Sequence, residues 1–185
     1  MRVAIVGGSY GIGNIIVKKF SAIDYSRSTG FDISSEKDRH EIIRKSIDYD
    51  VFINHAWSGD HSQYTLLYDI IKCWKKFNKD GYIINTGSIN THFKNYDNLT
   101  SNLSIKTALD ELCKMSFKQF QSKKINFKVT NLKLGLLDTE INRNKKEWKG
   151  RGITEIEYYN LITYLLNTPV DFLIGEMVIE TRNEL

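Results

Sequence analysis

The chain has 185 residues, 41% of them apolar and 26% charged, one domain's worth of an ordinary globular mixture, which excludes a disordered, collagen-like or low-complexity protein. Lys and Arg exceed Asp and Glu by 26 to 22, a net charge of +4. That suits a small anionic ligand and is too weak to argue for nucleic acid alone.

No run approaches the roughly 18 apolar residues of a membrane span, and glycines interrupt the apolar stretch at the N-terminus, where a signal peptide would need continuity. A cytoplasmic protein with no membrane partner is expected. Cys73 and Cys113 have neither metal-ligand nor redox spacing, so both read as buried free thiols.

Residues 2–6 are a β-branched run ending in glycines, which reads as a buried strand, and 12–20 have helical periodicity. Residues 22–26 then suit a short strand, 28–30 a turn, and 31–33 a short extended piece. A helix starts at Ser34 or Ser35, with Asp38 placed as in a capping box, and turns Ile42, Ile43 and Ile47 inward. Residues 51–53 are apolar throughout, as expected of a strand covered on both faces. Helix 62–79 carries Leu66, Leu67, Ile70, Ile71 and Trp74 on one face. Strand 82–86, helix 103–120, strand 127–132, helix 154–166 and strand 176–179 follow. The alternation predicts a single α/β domain over 1–185, a doubly wound parallel sheet with helices on both faces. Its ligand is expected outside the carboxyl ends of the strands.

Gly7-Gly8-Ser9-Tyr10-Gly11-Ile12-Gly13 follows the first strand and opens the first helix. This spacing lets the backbone turn sharply, approach a pyrophosphate without Cβ clashes, and aim N–H groups at it. A glycine-rich turn without a ligand is the blander reading of the same residues.

From Val6 to Gly13 the turn resembles the nucleotide-binding turn of the short-chain dehydrogenase/reductase family, with Val6 where a threonine is usual. Asp32 resembles the acidic residue that the family places beside the adenine, with Ile33 next to it. Ile53-Asn54-His55-Ala56-Trp57 resembles the Asn-Asn-Ala-Gly segment after the fourth strand, Trp57 replacing glycine. Ile83-Ile84-Asn85-Thr86-Gly87-Ser88 is similar to the strand that ends in the catalytic serine. The run from Leu134 through Gly135 and Leu136 to Thr139 resembles the Pro-Gly-x-x-x-Thr turn over the nicotinamide, Leu134 standing for the proline. Ile174-Gly175-Glu176 is similar to the start of the family's last strand. The resemblance spans nearly the whole chain and implies a Rossmann-type, NAD(P)-binding oxidoreductase. It also implies pairing through helices 62–79 and 103–120 in a homodimer or homotetramer, although the same apolar faces would serve as core in a monomer.

One position departs from the family. Asn102-Leu103-Ser104-Ile105-Lys106 aligns with the family's Tyr-x-x-x-Lys, so Lys106 is retained and Asn102 stands in the tyrosine's place. A carboxamide can hydrogen-bond to a substrate oxygen but exchanges no proton near neutral pH, and losing acid–base help costs about 10²–10⁴-fold. Tyr68 and Lys72 repeat the spacing on another helix, which reads as coincidence. Tyr96, in the loop after Ser88, stands as a proton donor from another direction or as a surface aromatic.

Ser26-Arg27-Ser28 falls where a dinucleotide's ribose 2′-position would lie, with no acid immediately at the turn. A guanidinium and hydroxyls suit a 2′-phosphate, so NADP is expected over NAD. His55 and His61 around Ser58-Gly59-Asp60 lack metal-ligand spacing, and no metal is expected. Arg143, Lys145, Lys146, Lys149 and Arg151 occupy the family's substrate-lid position, either as a solvated loop or facing an acidic substrate. Two functions remain in view. In one, an oxidoreductase acts on a small carbonyl or alcohol, with Ser88 orienting the substrate oxygen, Lys106 holding the nicotinamide ribose, and Asn102 in the donor's position. The other is a catalytically impaired NAD(P)-binding protein that serves as a sensor or interaction module. Relative to the family the chain is short, mostly in substrate-side segments.

Overall fold

A computed structural model describes residues 1–93, 100–145, 148, 150–169 and 171–181. Six parallel strands form one sheet: β1 (Val3–Val6), β2 (Ile23–Tyr25), β3 (Val51–Asn54), β4 (Gly81–Ser88), β5 (Phe127–Leu134) and β6 (Glu176–Ile179). Their order is β2-β1-β3-β4-β5-β6. The order reverses at β1, and that reversal opens a crevice at the strands' carboxyl ends.

Side chains alternate across each strand, so the sheet feeds two cores. Ala4, Val6, Phe52, Ile83 and Val129 pack with Ile42 of α2 (Glu36–Ser46), Leu66, Ile70 and Trp74 of α3 (Ser62–Lys76), and Ile105 and Leu109 of α5 (Ser101–Gln121). Val3, Ile5, Ile53, Ile84 and Leu132 face the other layer, where Ile16 of α1 (Asn14–Phe20) and Tyr158, Ile162 and Leu165 of α7 (Glu155–Leu166) meet them. Each of these fully buried large side chains contributes about 1.5–3 kcal/mol. Trp74 meets Phe127 edge to face, and its indole N–H donates to the Ser46 hydroxyl at 3.0 Å. The short helices α4 (Asn90–Phe93) and α6 (Glu140–Arg143) sit in the loops above β4 and β5.

Local chemistry sets the helix starts. Ser35 caps α2 by accepting from the Asp38 N–H, and Thr154 with Glu157 makes a full capping box on α7. Asp38 does not complete its own box, because its carboxylate accepts from the Asp32 N–H instead.

The short extended piece expected at 31–33 is no strand, and the sheet ends at β2. A 3₁₀ turn (Arg27–Thr29) closes straight after β2, the Phe31 N–H returns to the Ser26 carbonyl, and Asp32 folds onto Ser34. Too little chain separates that turn from the Ser35 cap to lay down another strand. Cys113 is buried as expected, whereas Cys73 is only half-buried. No helix of the described residues is long and apolar enough to cross a membrane.

Buried polar side chains run across the middle of the sheet. Asn54, Asn85 and Asn131 are register partners on β3, β4 and β5. The Asn54 amide donates to Asn85 at 2.9 Å, Asn85 to Asn131 at 2.8 Å, and Asn131 to the Asp110 carboxylate at 2.7 Å. Lys133 joins Asp110 at 2.8 Å and Glu176 at 2.9 Å. Burial alone would lower the Lys133 pKa, but its hydrogen bonds to the two carboxylates outweigh that and raise it.

Candidate functional site

A cleft of about 660 Å³ opens at the carboxyl ends of the strands, over the reversal at β1. Gly7, Ser9 and Tyr10 line it at the glycine turn, and Ser26, Arg27, Ser28, Asp32 and Ile33 line one end. His55, Ala56 and Trp57 line the centre. Ser88, Asn102 and Lys106 line the other end, with Gly135 and Leu136 across from them. The cleft therefore collects most of the residues that the sequence nominated.

Gly11, Ile12, Gly13, Asn54 and Thr139 do not line it. Ile12 is 1% exposed and Asn54 wholly buried. Gly11 takes a positive φ of 60° against the Thr139 side chain, and Gly13 packs onto the turn itself. A Cβ on Gly13 would lie 2.5 Å from the Gly7 carbonyl oxygen and 3.1 Å from His55 Cδ2. Gly13→Ala is therefore expected to cost about 1–3 kcal/mol through overpacking, seen as a lower denaturation midpoint. An unchanged midpoint would contradict this packing of the turn.

At the β2 end the sequence reading overlooked Asp24. Its carboxylate turns back to the glycine turn, accepting from the Gly8 N–H at 2.8 Å, the Ser9 hydroxyl at 2.5 Å and the Ser26 hydroxyl at 2.7 Å. Ser9 also contacts the Ser26 and Ser28 hydroxyls. An acid does stand near this turn, then, but it is occupied by these donors and does not line the cleft, whereas Arg27 does. An acidic residue close to the end of a second strand was the signal available for it. Asp32 is held ionised, its pKa lowered by hydrogen bonds from the Ser34 backbone and hydroxyl.

At the opposite end, Lys106 is 8% exposed and donates to Gln63 Oε1 at 2.6 Å and to the Thr86 carbonyl at 3.3 Å. Burial pulls its pKa down to about 8. The Trp57 ring centre lies 4.9 Å from the ammonium, where both line the cleft. Gln63, absent from the sequence reading, also donates to the Asn54 and Thr86 carbonyls, so it ties α3, β3 and β4 to the lysine. Only a tertiary contact reveals it. Asn102 lies one helical turn before Lys106 and is exposed to the cleft. The Ser88 hydroxyl accepts from the Asn90 N–H at 3.3 Å.

Tyr68 lies outside the cleft, 42% exposed on α3, with Lys72 over its ring at 5.2 Å. Tyr96 falls outside the described residues, as do Lys146, Glu147 and Lys149 of the basic loop. Of that loop, Lys145 lines the cleft, Arg143 pairs with Asp138 and Arg151 with Glu157. Asp60 is engaged by its own loop, accepting from Ser58 and Ser62. Among the described residues no cluster of three or more His, Cys, Asp and Glu side chains could hold a metal ion.

No family model and no curated protein matches the chain in sequence. Solved structures match it in fold. A 3-ketoacyl-(acyl-carrier-protein) reductase from Brucella melitensis complexed with NADH superposes with a TM-score of 0.75 at 14% identity, over 96% of both chains. A short chain dehydrogenase from Burkholderia cenocepacia in complex with NADP gives 0.73 at 18% identity, over 96% of this chain and 89% of that one. A betaketoacyl-[ACP] reductase from Bacteroides thetaiotaomicron gives 0.70 at 19%, over 98% of each. The shared feature is the Rossmann-like architecture, a parallel sheet between helical layers.

Proposed function

We propose that this chain is a short, atypical member of the short-chain dehydrogenase/reductase family that transfers hydride between NADP(H) and a small carbonyl or alcohol. The observation that carries the reading is one continuous cleft joining the Ser26–Arg27–Ser28 turn and Asp32, across the glycine turn, to Ser88, Asn102 and Lys106. Its volume lies in the range of small-molecule and cofactor sites. Two of the solved structures of the same fold hold a nicotinamide dinucleotide, NADH in one and NADP in the other.

A bound nicotinamide would supply the hydride; the chain's own residues bind and orient. Arg27 and Ser28 would hold the ribose 2′-phosphate, and Asp32 with Ile33 would flank the adenine, since all four line the same end of the cleft. Ser88 and the Asn102 carboxamide hydrogen-bond to the substrate oxygen, and Lys106 supplies positive charge beside it. With asparagine at position 102, water or Tyr96 would relay the proton, Tyr96 lying outside the described residues. Arg27→Ala is expected to weaken NADPH binding roughly tenfold while leaving NADH nearly unchanged. Equal losses for both would contradict the 2′-phosphate assignment. Turnover of NADPH across a broad carbonyl panel tests the activity, and binding without any turnover would overturn it.

Asn102 and the closeness of Trp57 to the Lys106 ammonium favour a second reading, in which the protein binds the dinucleotide and reports its presence to a partner instead of reducing a substrate. That outcome is the one in which binding is measurable and turnover is absent.

A further inference from the structure

At the cleft wall three polar side chains meet: His55 just beyond β3 and Thr86 on β4, which line the cleft, and Tyr158 on α7 behind them. The Thr86 hydroxyl lies 3.0 Å from His55 Nδ1, the Tyr158 hydroxyl 3.2 Å from the same nitrogen, and the two hydroxyls 3.3 Å from each other. Tyr158 is wholly buried and Thr86 is 6% exposed. Neither hydroxyl has another partner among the described residues.

The arrangement can be decided by counting hydrogens. If Nδ1 carries no hydrogen, one hydroxyl donates to the other and the second donates to Nδ1, so both hydroxyl hydrogens have acceptors. If Nδ1 carries a hydrogen, it takes one hydroxyl oxygen as acceptor and one hydroxyl hydrogen is left buried without an acceptor. The first state is therefore favoured, and it puts the imidazole hydrogen on Nε2. A doubly protonated ring would strand a hydrogen in the same way, and burial together with the Lys106 charge pushes the His55 pKa down to about 4. Nε2 itself has no partner among the described residues and is not enclosed, while the His55 ring lines the cleft against the Gly13 side of the glycine turn.

We propose that Thr86 and Tyr158 are positioning residues that hold His55 as the Nε2–H tautomer, and that this N–H donates to a diphosphate oxygen of a ligand lying over the glycine turn. The positioning stands on the geometry alone. The choice of ligand rests on the dinucleotide reading above, because a diphosphate is the acceptor-rich part of such a ligand that crosses the strand reversal.

Long-range ¹⁵N–¹H NMR of the ligand-free, histidine-labelled protein at neutral pH tests the first half. His55, assigned by loss of its signal in His55→Gln, is expected to show the Nε2–H pattern, and its bare Nδ1 resonance is expected to move downfield in Tyr158→Phe combined with Thr86→Val, where that nitrogen no longer accepts a hydrogen bond. A native Nδ1–H ring, or an Nδ1 resonance unmoved in the double variant, overturns the positioning role. Titration with ADP-ribose tests the second half. His55→Leu is expected to lose roughly tenfold in affinity, His55→Gln, which keeps an N–H, to stay close to native, and adenosine 2′-monophosphate, which lacks the diphosphate, to bind both alike. Equal losses for the two ligands, or none for ADP-ribose, overturn the donor role, as does a native protein that fails to bind ADP-ribose. A native protein that binds ADP-ribose with this pattern yet reduces no carbonyl contradicts the oxidoreductase reading alone.

Discussion

Asn102→Tyr is expected to raise NADPH-dependent carbonyl reduction by about 10²–10⁴-fold, the range that a positioned acid or base contributes. Asn102 and Lys106 are one turn apart on α5 and both face the cleft beside Ser88. A phenol at 102 would place a transferable proton where the carboxamide now offers only a hydrogen bond. Lys106 would help it: held by Gln63 and the Thr86 carbonyl, the ammonium stands near enough to favour the phenolate and bring its pKa toward the working range. Asn102 is exposed, so the larger side chain displaces no core atoms. The readout is kcat on the best substrate of a carbonyl panel. No gain, with cofactor affinity intact, would mean that the substrate side of the cleft is closed to catalysis, with Trp57 over Lys106 as the first residue to examine.

Asp110→Leu is expected to destabilise the protein by about 3–5 kcal/mol, the cost of removing one partner from a buried pair. Asp110 and Lys133 side chains are each 4% exposed and 2.8 Å apart. Without Asp110 the Lys133 ammonium keeps only Glu176, itself 30% exposed, and Asn131 loses the acceptor that ends the asparagine series. Adding Lys133→Met should recover part of the loss, since the isolated buried charge is then gone. Urea denaturation of the single and double variants measures both. A double variant less stable than Asp110→Leu alone would show that packing of the lysine stem, rather than its charge, dominates there.

The fold was largely legible because its signals are local. Periodicity of 2 and 3.6 marked the strands and helices, and their alternation implied a parallel sheet. The last strand matched residue for residue, whereas α3 stops at Lys76 rather than Lys79, where Phe77 leaves the helical conformation and Asn78 takes a positive φ. The third extended piece failed because Asp32 carries a local turn that competes with pairing, a preference of Asp that outweighs the apolar Phe31 and Ile33 around it.

The candidate site divides in the same way. Residues in a contiguous motif, such as the glycine turn, could be named from spacing. Gln63, Thr86 as a hydrogen-bonding side chain and Tyr158 could not, because each reaches the site through a contact between elements far apart in the chain, whereas Asp24 stood within reach of a positional argument. Tyr158 meets His55 across 103 positions, and Lys106 meets Gln63 across 43. The asparagine series is likewise a property of register: each residue alone is one polar group on its strand, and only the pairing of β3, β4 and β5 makes them one network.

The central claim is that the cleft over the strand reversal holds NADP(H). Calorimetric titration of the native protein and Gly13→Ala with NADPH and NADH tests it most directly. The expected result is one saturable site that binds NADPH more tightly than NADH and is weakened when the glycine turn is overpacked. Absence of heat and of competition by either dinucleotide at millimolar concentration, from a cooperatively folded native sample, would contradict it.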